Sequence, residues 1–216
     1  VSDGDYLIQD VQLASSKGWF THQPGSTYYL LADGTDQWKS AVTKGSSVIM
    51  PDGFSGFVVM AIANFSSDPI TAADILDPAD STHLSIHFNK AGAAYGSVYL
   101  DSFFWAKTPP PPKPFDMGTL LVDFEKDTSA VADKYQFAEA VLSEEHVSSG
   151  IHSLKLSSET EIGWGAARVY MNLGRALGAE GSAALGMKYL GFHIAGLKGN
   201  NNDVSDGNYL IQDLQL

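Results

Sequence analysis

Six histidines, 25 acidic residues and four tryptophans supply most of the side chains in this 216-residue chain that could do chemistry. His83 and His87 stand four apart, a spacing that on a helix aims both imidazoles at one ion. Here they sit in the alternating stretch His83-Leu84-Ser85-Ile86-His87-Phe88, and on a strand four residues span ~13 Å, too far for one metal to bridge. Both are expected to face solvent or a neighbouring module. Glycoside hydrolysis needs two carboxylates facing each other across a cleft. Glu144/Glu145 and Glu159/Glu161 instead lie in polar, turn-rich segments, with no apolar pocket expected to raise one of their pKa values. No Gly-x-Ser-x-Gly elbow, phosphate-cradling loop or His-Glu-x-x-His pattern occurs. Nothing in these residues supports catalysis, and the chain reads as a non-enzyme.

Binding has more candidates. Pyranose rings stack on aromatic faces, and Trp19, Tyr28 and Trp38 are the platforms placed to offer one, with Tyr29, Trp105 and Trp164 as further aromatics. In Tyr28-Tyr29, neighbours on a strand point to opposite faces, so one belongs to the core. Trp105 is expected to pack between modules. Asn64-Phe65-Ser66 is a glycosylation sequon. Asp203–Asn208 places oxygen ligands around Gly207, either as a small calcium loop or as a hairpin turn; the later acidic ligand of an EF-hand is missing.

A net charge of −12 repels polyphosphate and argues against nucleic acid, whereas calcium matches it as a partner. Cysteine is absent, so there is neither a disulfide framework nor a thiolate metal site, as in secreted bacterial proteins that do without disulfides. The longest apolar runs, such as Phe57–Ala63, stop far short of the ~20 residues of a membrane-spanning helix.

The elements that must position these residues read as strands. Apolar residues recur with period two in Leu84/Ile86/Phe88, Val98/Leu100, Leu154/Leu156, Val169/Met171/Leu173 and Leu190/Phe192/Ile194. Turn signals such as Ala32-Asp33-Gly34, Pro51-Asp52-Gly53 and Ser149-Gly150 separate them. Many short strands at regular spacing predict an all-β antiparallel sandwich or barrel. Ser129–Leu142 is open between helix and strand.

One stretch occurs twice, VSDGDYLIQDVQL at 1–13 and VSDGNYLIQDLQL at 204–216, which differ only at Asp5/Asn208 and Val11/Leu214. An offset of 203 residues (204 minus 1) marks a tandem repeat. The copy at 1–13 has Tyr6/Ile8 on one face and Leu7/Val11/Leu13 on the other, as expected of a strand covered on both sides, with Leu7 and Leu210 in equivalent core positions. Residues 108–114, with five prolines, form a semi-rigid spacer where module boundaries belong. Residues 1–107 are then the C-terminal part of one module and 115–216 the N-terminal part of the next.

Reordered from Phe115, the period opens with Leu121-Val122-Asp123-Phe124-Glu125, continues with Gly150-Ile151-His152-Ser153-Leu154-Lys155, and closes with Val98-Tyr99-Leu100-Asp101-Ser102-Phe103. This order resembles the β-jelly-roll carbohydrate-binding modules, the galactose-binding-like sandwiches of secreted bacterial enzymes and surface proteins. Val48–Val58 is similar to a hairpin of tandem modules in anaerobic Gram-positive bacteria. The resemblance implies a jelly roll at the cell surface or outside the cell, with a structural Ca2+ held by Glu125 of the opening strand and Asp101 of the closing one. On the module boundaries above, those two residues serve different modules.

Two functions follow. Either the chain is a window on a long extracellular fibre or adhesive protein built from copies of one module, or each module is a lectin for polysaccharide. The cut halves find partners either in neighbouring copies or by folding back, 115–216 onto 1–107, as a circularly permuted sandwich. In the second case the duplicated strand has two claimants for one slot.

Overall fold

A computed structural model describes residues 5–15, 18–45, 47–51, 53–66, 83–88, 97–108, 119–135, 137–157, 167–172 and 187–196. In chain order the first strands are β1 (Asp5–Ser15), β2 (Gly18–His22), β3 (Thr27–Ala32), β4 (Lys39–Val42), β5 (Val48–Pro51), β6 (Gly56–Ala61) and β7 (Phe65–Ser66). Then come β8 (His83–Phe88), β9 (Ser97–Ala106), β10 (Thr119–Val122), β11 (Val131–Asp133), β12 (Glu139–Ser143), β13 (Ser153–Ser157), β14 (Ala167–Asn172) and β15 (Tyr189–Ala195). Ser129–Leu142, left open by the sequence, thus contributes β11 and most of β12.

The strands form two antiparallel sheets. Sheet A has the order β11-β14-β8-β1-β2-β7, with β5 also on β1; sheet B has the order β12-β13-β9-β15-β6-β3-β4, with β10 also on β9. The face that each sheet turns inward is apolar, because alternate residues of each strand point the same way. Leu84/Ile86/Phe88 and Val169/Met171 from sheet A meet Val58/Met60, Leu154/Leu156 and Leu190/Phe192/Ile194 from sheet B in one core. Each such side chain, fully withdrawn from water, contributes about 1.5–3 kcal/mol. Trp105 belongs to this core with no exposure, which corrects the expectation that it packs between modules: it has the same parity as Phe103 on β9 and faces inward.

The duplicated stretch lies at the centre of sheet A. As β1 it pairs with β8 and β2 along one part and with β5 along another. Its register slips between Ile8 and Asp10, where β1 has one extra residue opposite Phe88/His87. That bulge reverses the parity, so Ile8, Val11 and Leu13 all enter the core. The expectation that Ile8 faces away from Val11 and Leu13 fails for this reason. The side chains of Tyr6 and Leu7, and all of 204–216, lie outside what the structure describes.

The two parts separated by the proline-rich segment interleave in both sheets. From the second part, β11 and β14 join sheet A, and β10, β12, β13 and β15 join sheet B. Leu120 lies opposite Phe104 and Leu154 opposite Leu100. Of the two arrangements open to the cut halves, this chain adopts the folded-back one. The linker residues 109–114 lie outside the described part.

Candidate functional site

The two carboxylates implied as metal ligands converge on one loop of one sandwich. Asp101 sits on β9 where a residue is inserted relative to β15: Gly191 faces Phe104 but His193 faces Asp101. The inserted turn of backbone passes through Ser102, which has φ 48°. Asp101, fully buried, accepts from Ser102 N (2.7 Å) on one oxygen, and from Ser148 N (2.9 Å), Ser148 Oγ (2.8 Å) and Ser149 N (3.3 Å) on the other. Burial pushes its carboxyl above the ordinary carboxylate range, against the pull of these hydrogen bonds. Glu125 follows Phe124, which has φ 54°, and accepts from Ile151 N on both oxygens (3.0 Å each) and from His152 N (3.1 Å). Those backbone donors, His152 first, hold Glu125 below the usual range.

Among the described residues, the non-glycine positions with positive φ are Ser102, Phe124 and His146, and all three belong to this arrangement. Such conformations cost of order 1–3 kcal/mol each and persist where the surroundings over-determine them. Gly150, with φ +78°, completes the loop: a Cβ there would come within 2.2 Å of the Glu125 carboxylate. Gly150→Ala is therefore expected to lower stability by about 2 kcal/mol or more, read as a drop in the thermal midpoint.

The donor set does not fit a cation. Both carboxylates are turned onto N–H and O–H hydrogens, which present positive charge where an ion would sit. Among the described residues, no group of three or more His, Asp or Glu side chains converges that could hold a metal. What the arrangement does is fasten the 148–152 backbone to β9 through Asp101 and to the segment that follows β10 through Glu125. Chelation is expected to leave the thermal midpoint unchanged, and a midpoint that rises with added Ca2+ would show that the loop reorganises around an ion.

The proposed sugar platforms fall in three different layers. Tyr28 is in the core, and its hydroxyl donates to Ile49 O (2.7 Å) and accepts from Ile49 N (3.1 Å); this removes it as a platform. Trp38 is half-buried on the outer side of sheet B, against Val59, Phe104 and Ala106. Trp19 is exposed on the outer side of sheet A. The sequence could not bring these three together, because strand order decides the layers.

Around Trp19, the structure assembles a group that the sequence reading missed. Its ring meets Tyr170 of β14 edge-on at 5.6 Å, across register positions that hold Ala14 and Ser85. The Arg168 guanidinium lies between the rings of Tyr135 (4.7 Å) and Tyr170 (5.0 Å). Trp19 and Tyr135 are 37% and 47% exposed, so ring edges and faces remain open to solvent. The signal was present: Val169 and Met171 read as core, which sends Arg168 and Tyr170 to the other face.

The remaining described candidates make contacts within the sandwich. His87, expected at the surface, is buried with Nε2 at 2.8 Å from Ser85 Oγ. His193 contacts both Asp33 oxygens at 3.0–3.1 Å, and Ser55 Oγ donates to the same carboxylate. This is not a hydrolytic triad, since the hydroxyl addresses the acid and not the imidazole. Asn64 is half-buried and its amide reaches Thr27 O at 3.4 Å. Glu159, Glu161, Trp164 and 203–208 lie outside the described residues.

Compared with family models, curated proteins and solved structures, the chain has no match.

Proposed function

We propose that the chain is one period of an extracellular array of non-catalytic jelly-roll modules, joined in series and acting as a structural or adhesive polymer. The observation that carries this reading is the near-identity of 1–13 and 204–216 at an offset of 203 residues. Two substitutions in thirteen positions, both conservative, are what neighbouring repeats show. The absence of cysteine suits export, and the acidic surface keeps closely spaced modules apart by charge repulsion. Immunoblotting of surface and secreted fractions is expected to show a polypeptide several periods long. A natural product of a single period would end the proposal.

A second reading, polysaccharide binding, is favoured by the Trp19–Tyr170–Arg168–Tyr135 group. Rings braced by a guanidinium offer a stiff stacking surface beside a hydrogen-bond donor. Affinity electrophoresis in soluble polysaccharide gels is expected to show retardation that Trp19→Ala abolishes, with the thermal midpoint nearly unchanged. Equal mobility of parent and variant in every polysaccharide removes this reading.

A further inference from the structure

We infer that the outer face of sheet A selects glycans that carry an oxyanion, with the Arg168 guanidinium as the anion-binding group and the Trp19 ring as the sugar platform beside it. The inference rests on the polysaccharide reading and narrows it from sugars at large to acidic ones.

Arg168 alternates with Val169 and Met171, which fill the core, so its side chain leaves sheet A on the opposite face. There the guanidinium is stacked between Tyr135 at 4.7 Å and Tyr170 at 5.0 Å. Stacking engages the flat faces of a guanidinium and leaves its in-plane N–H edge for an acceptor. Among the described residues nothing meets that edge: the ion pairs are Lys155–Glu145 and His193–Asp33, and Arg168 Nε is buried without a hydrogen-bond partner. Lys134, just beyond β11, turns its ammonium onto the carbonyls of Phe137 and Ala138. His87, opposite Arg168 across β14 and β8, is held neutral by burial first and by the Arg168 charge second, its pKa lowered to about 4. Arg168 is thus the positive centre of this group. In a chain with 25 acidic side chains against 13 basic ones, partners for an arginine are plentiful, yet this one is braced by rings and left without a carboxylate.

Trp19 supplies the other half of the site. Its ring meets Tyr170 edge-on at 5.6 Å, across the register positions of Ala14 and Ser85, two small buried residues. The two steps, from Trp19 to Tyr170 and from Tyr170 to Arg168, place the guanidinium within about 11 Å of the indole. A pyranose laid on Trp19 therefore has a cation close by for a charged group on the same chain of sugars. A carboxylate or sulfate accepts two parallel bonds from a guanidinium fork, which a single hydroxyl cannot do. The net charge of −12 opposes a polyanion over the rest of the surface, so binding of one at all requires a local cation.

The probes are polygalacturonate and its methyl ester, one backbone with and without the carboxylate, and dextran sulfate beside neutral dextran. Each is cast in a native gel containing EDTA, and mobility is taken relative to a polymer-free gel. The parent is expected to bind the charged member of a pair at least about tenfold more tightly than the neutral one. Preference for polygalacturonate assigns a uronate as the anion, and preference for dextran sulfate assigns a sulfate ester. Arg168→Lys, which keeps the charge and loses the fork, is expected to weaken binding about tenfold, and Arg168→Gln to abolish the preference. Asp133, opposite Tyr170 on β11, puts a negative charge on the same face. Asp133→Asn is expected to strengthen binding about twofold, a gain that a misfolded variant cannot mimic.

Equal binding of the charged and neutral members, or an Arg168→Gln variant that keeps the preference, overturns the inference. So does weaker binding by Asp133→Asn. If neutral polysaccharides retard the parent in a Trp19-dependent way and acidic ones do not, the inference falls and the polysaccharide reading stands. If no polysaccharide of either kind retards it, both fall.

Discussion

Asp101→Asn is expected to lower the stability of the sandwich by about 2–3 kcal/mol, although it removes a buried charge. Two effects oppose each other. Neutralising the side chain recovers desolvation, the main cause of the raised Asp101 pKa. Against that, four donors from Ser102, Ser148 and Ser149 converge on two acceptor oxygens. Asparagine keeps one acceptor and turns an NH2 group on the remaining donors, leaving buried N–H groups unpaired and facing another donor. The second effect wins because the backbone cannot retreat: Ser102 and His146 are held at positive φ on either side. Glu125→Gln, at a more open position, is expected to cost less than Asp101→Asn. Denaturant titration of the two variants checks the ordering. Cleavage by a Glu-specific protease at Glu144/Glu145 should accelerate in Asp101→Asn well before global unfolding. Equal stability of both variants would mean that the loop is held elsewhere.

The second large effect is loss of stability in acid. His22 is fully buried on Phe65, with ring centroids 5.1 Å apart, and among the described residues neither ring nitrogen has a hydrogen-bond partner. Burial lowers its pKa from 6.5 to about 4. His87 is lowered to about 4 by burial and, secondarily, by the Arg168 charge. A base with a depressed folded pKa contributes stability above its unfolded value. That stability is lost as pH falls from about 6.5 through about 4, because the unfolded chain binds the proton more readily. The loss at pH 4 is on the order of 3 kcal/mol for His22, with a comparable amount for His87. Asp101 runs the other way: its raised pKa makes the folded state hold a proton more tightly, offsetting part of the loss. His22→Leu is expected to remove about half of the histidine-driven change between pH 7 and pH 4.5 in urea titrations. An unchanged acid sensitivity in that variant would place its origin elsewhere.

Much of the architecture was legible in the sequence because period-two alternation is a local property. Leu84/Ile86/Phe88 and Leu190/Phe192/Ile194 were placed correctly on strands with a shared core face, although β8 and β15 are buried on both faces and not on one. What failed depended on insertions in register. The bulge near Ile8 and the slip at Ser102 each reverse parity at one residue, and nothing in residue type announces them. Asp101 and Glu125 were singled out, yet their shared loop was not, since the linker between their strands suggested separate cores. The aromatic group around Arg168 needed strand order, which places β14 and β2 on one sheet although some 150 residues separate them. His22 shows the limit most clearly: a histidine between Thr21 and Gln23 reads as polar surface, and only its inward parity on β2 makes it part of the core.

The position of the β5–β6 turn bears on how modules would hang together. Because β1 starts and β15 stops at that same end, a chain running through successive sandwiches would enter and leave each one beside Pro51 and Gly56. Modules strung this way are pendants on a line and not links in a rod. Tension along the line would pull on the connecting segments while largely bypassing the sheets, so such an array would yield easily at first and unravel one module at a time, beginning with β1.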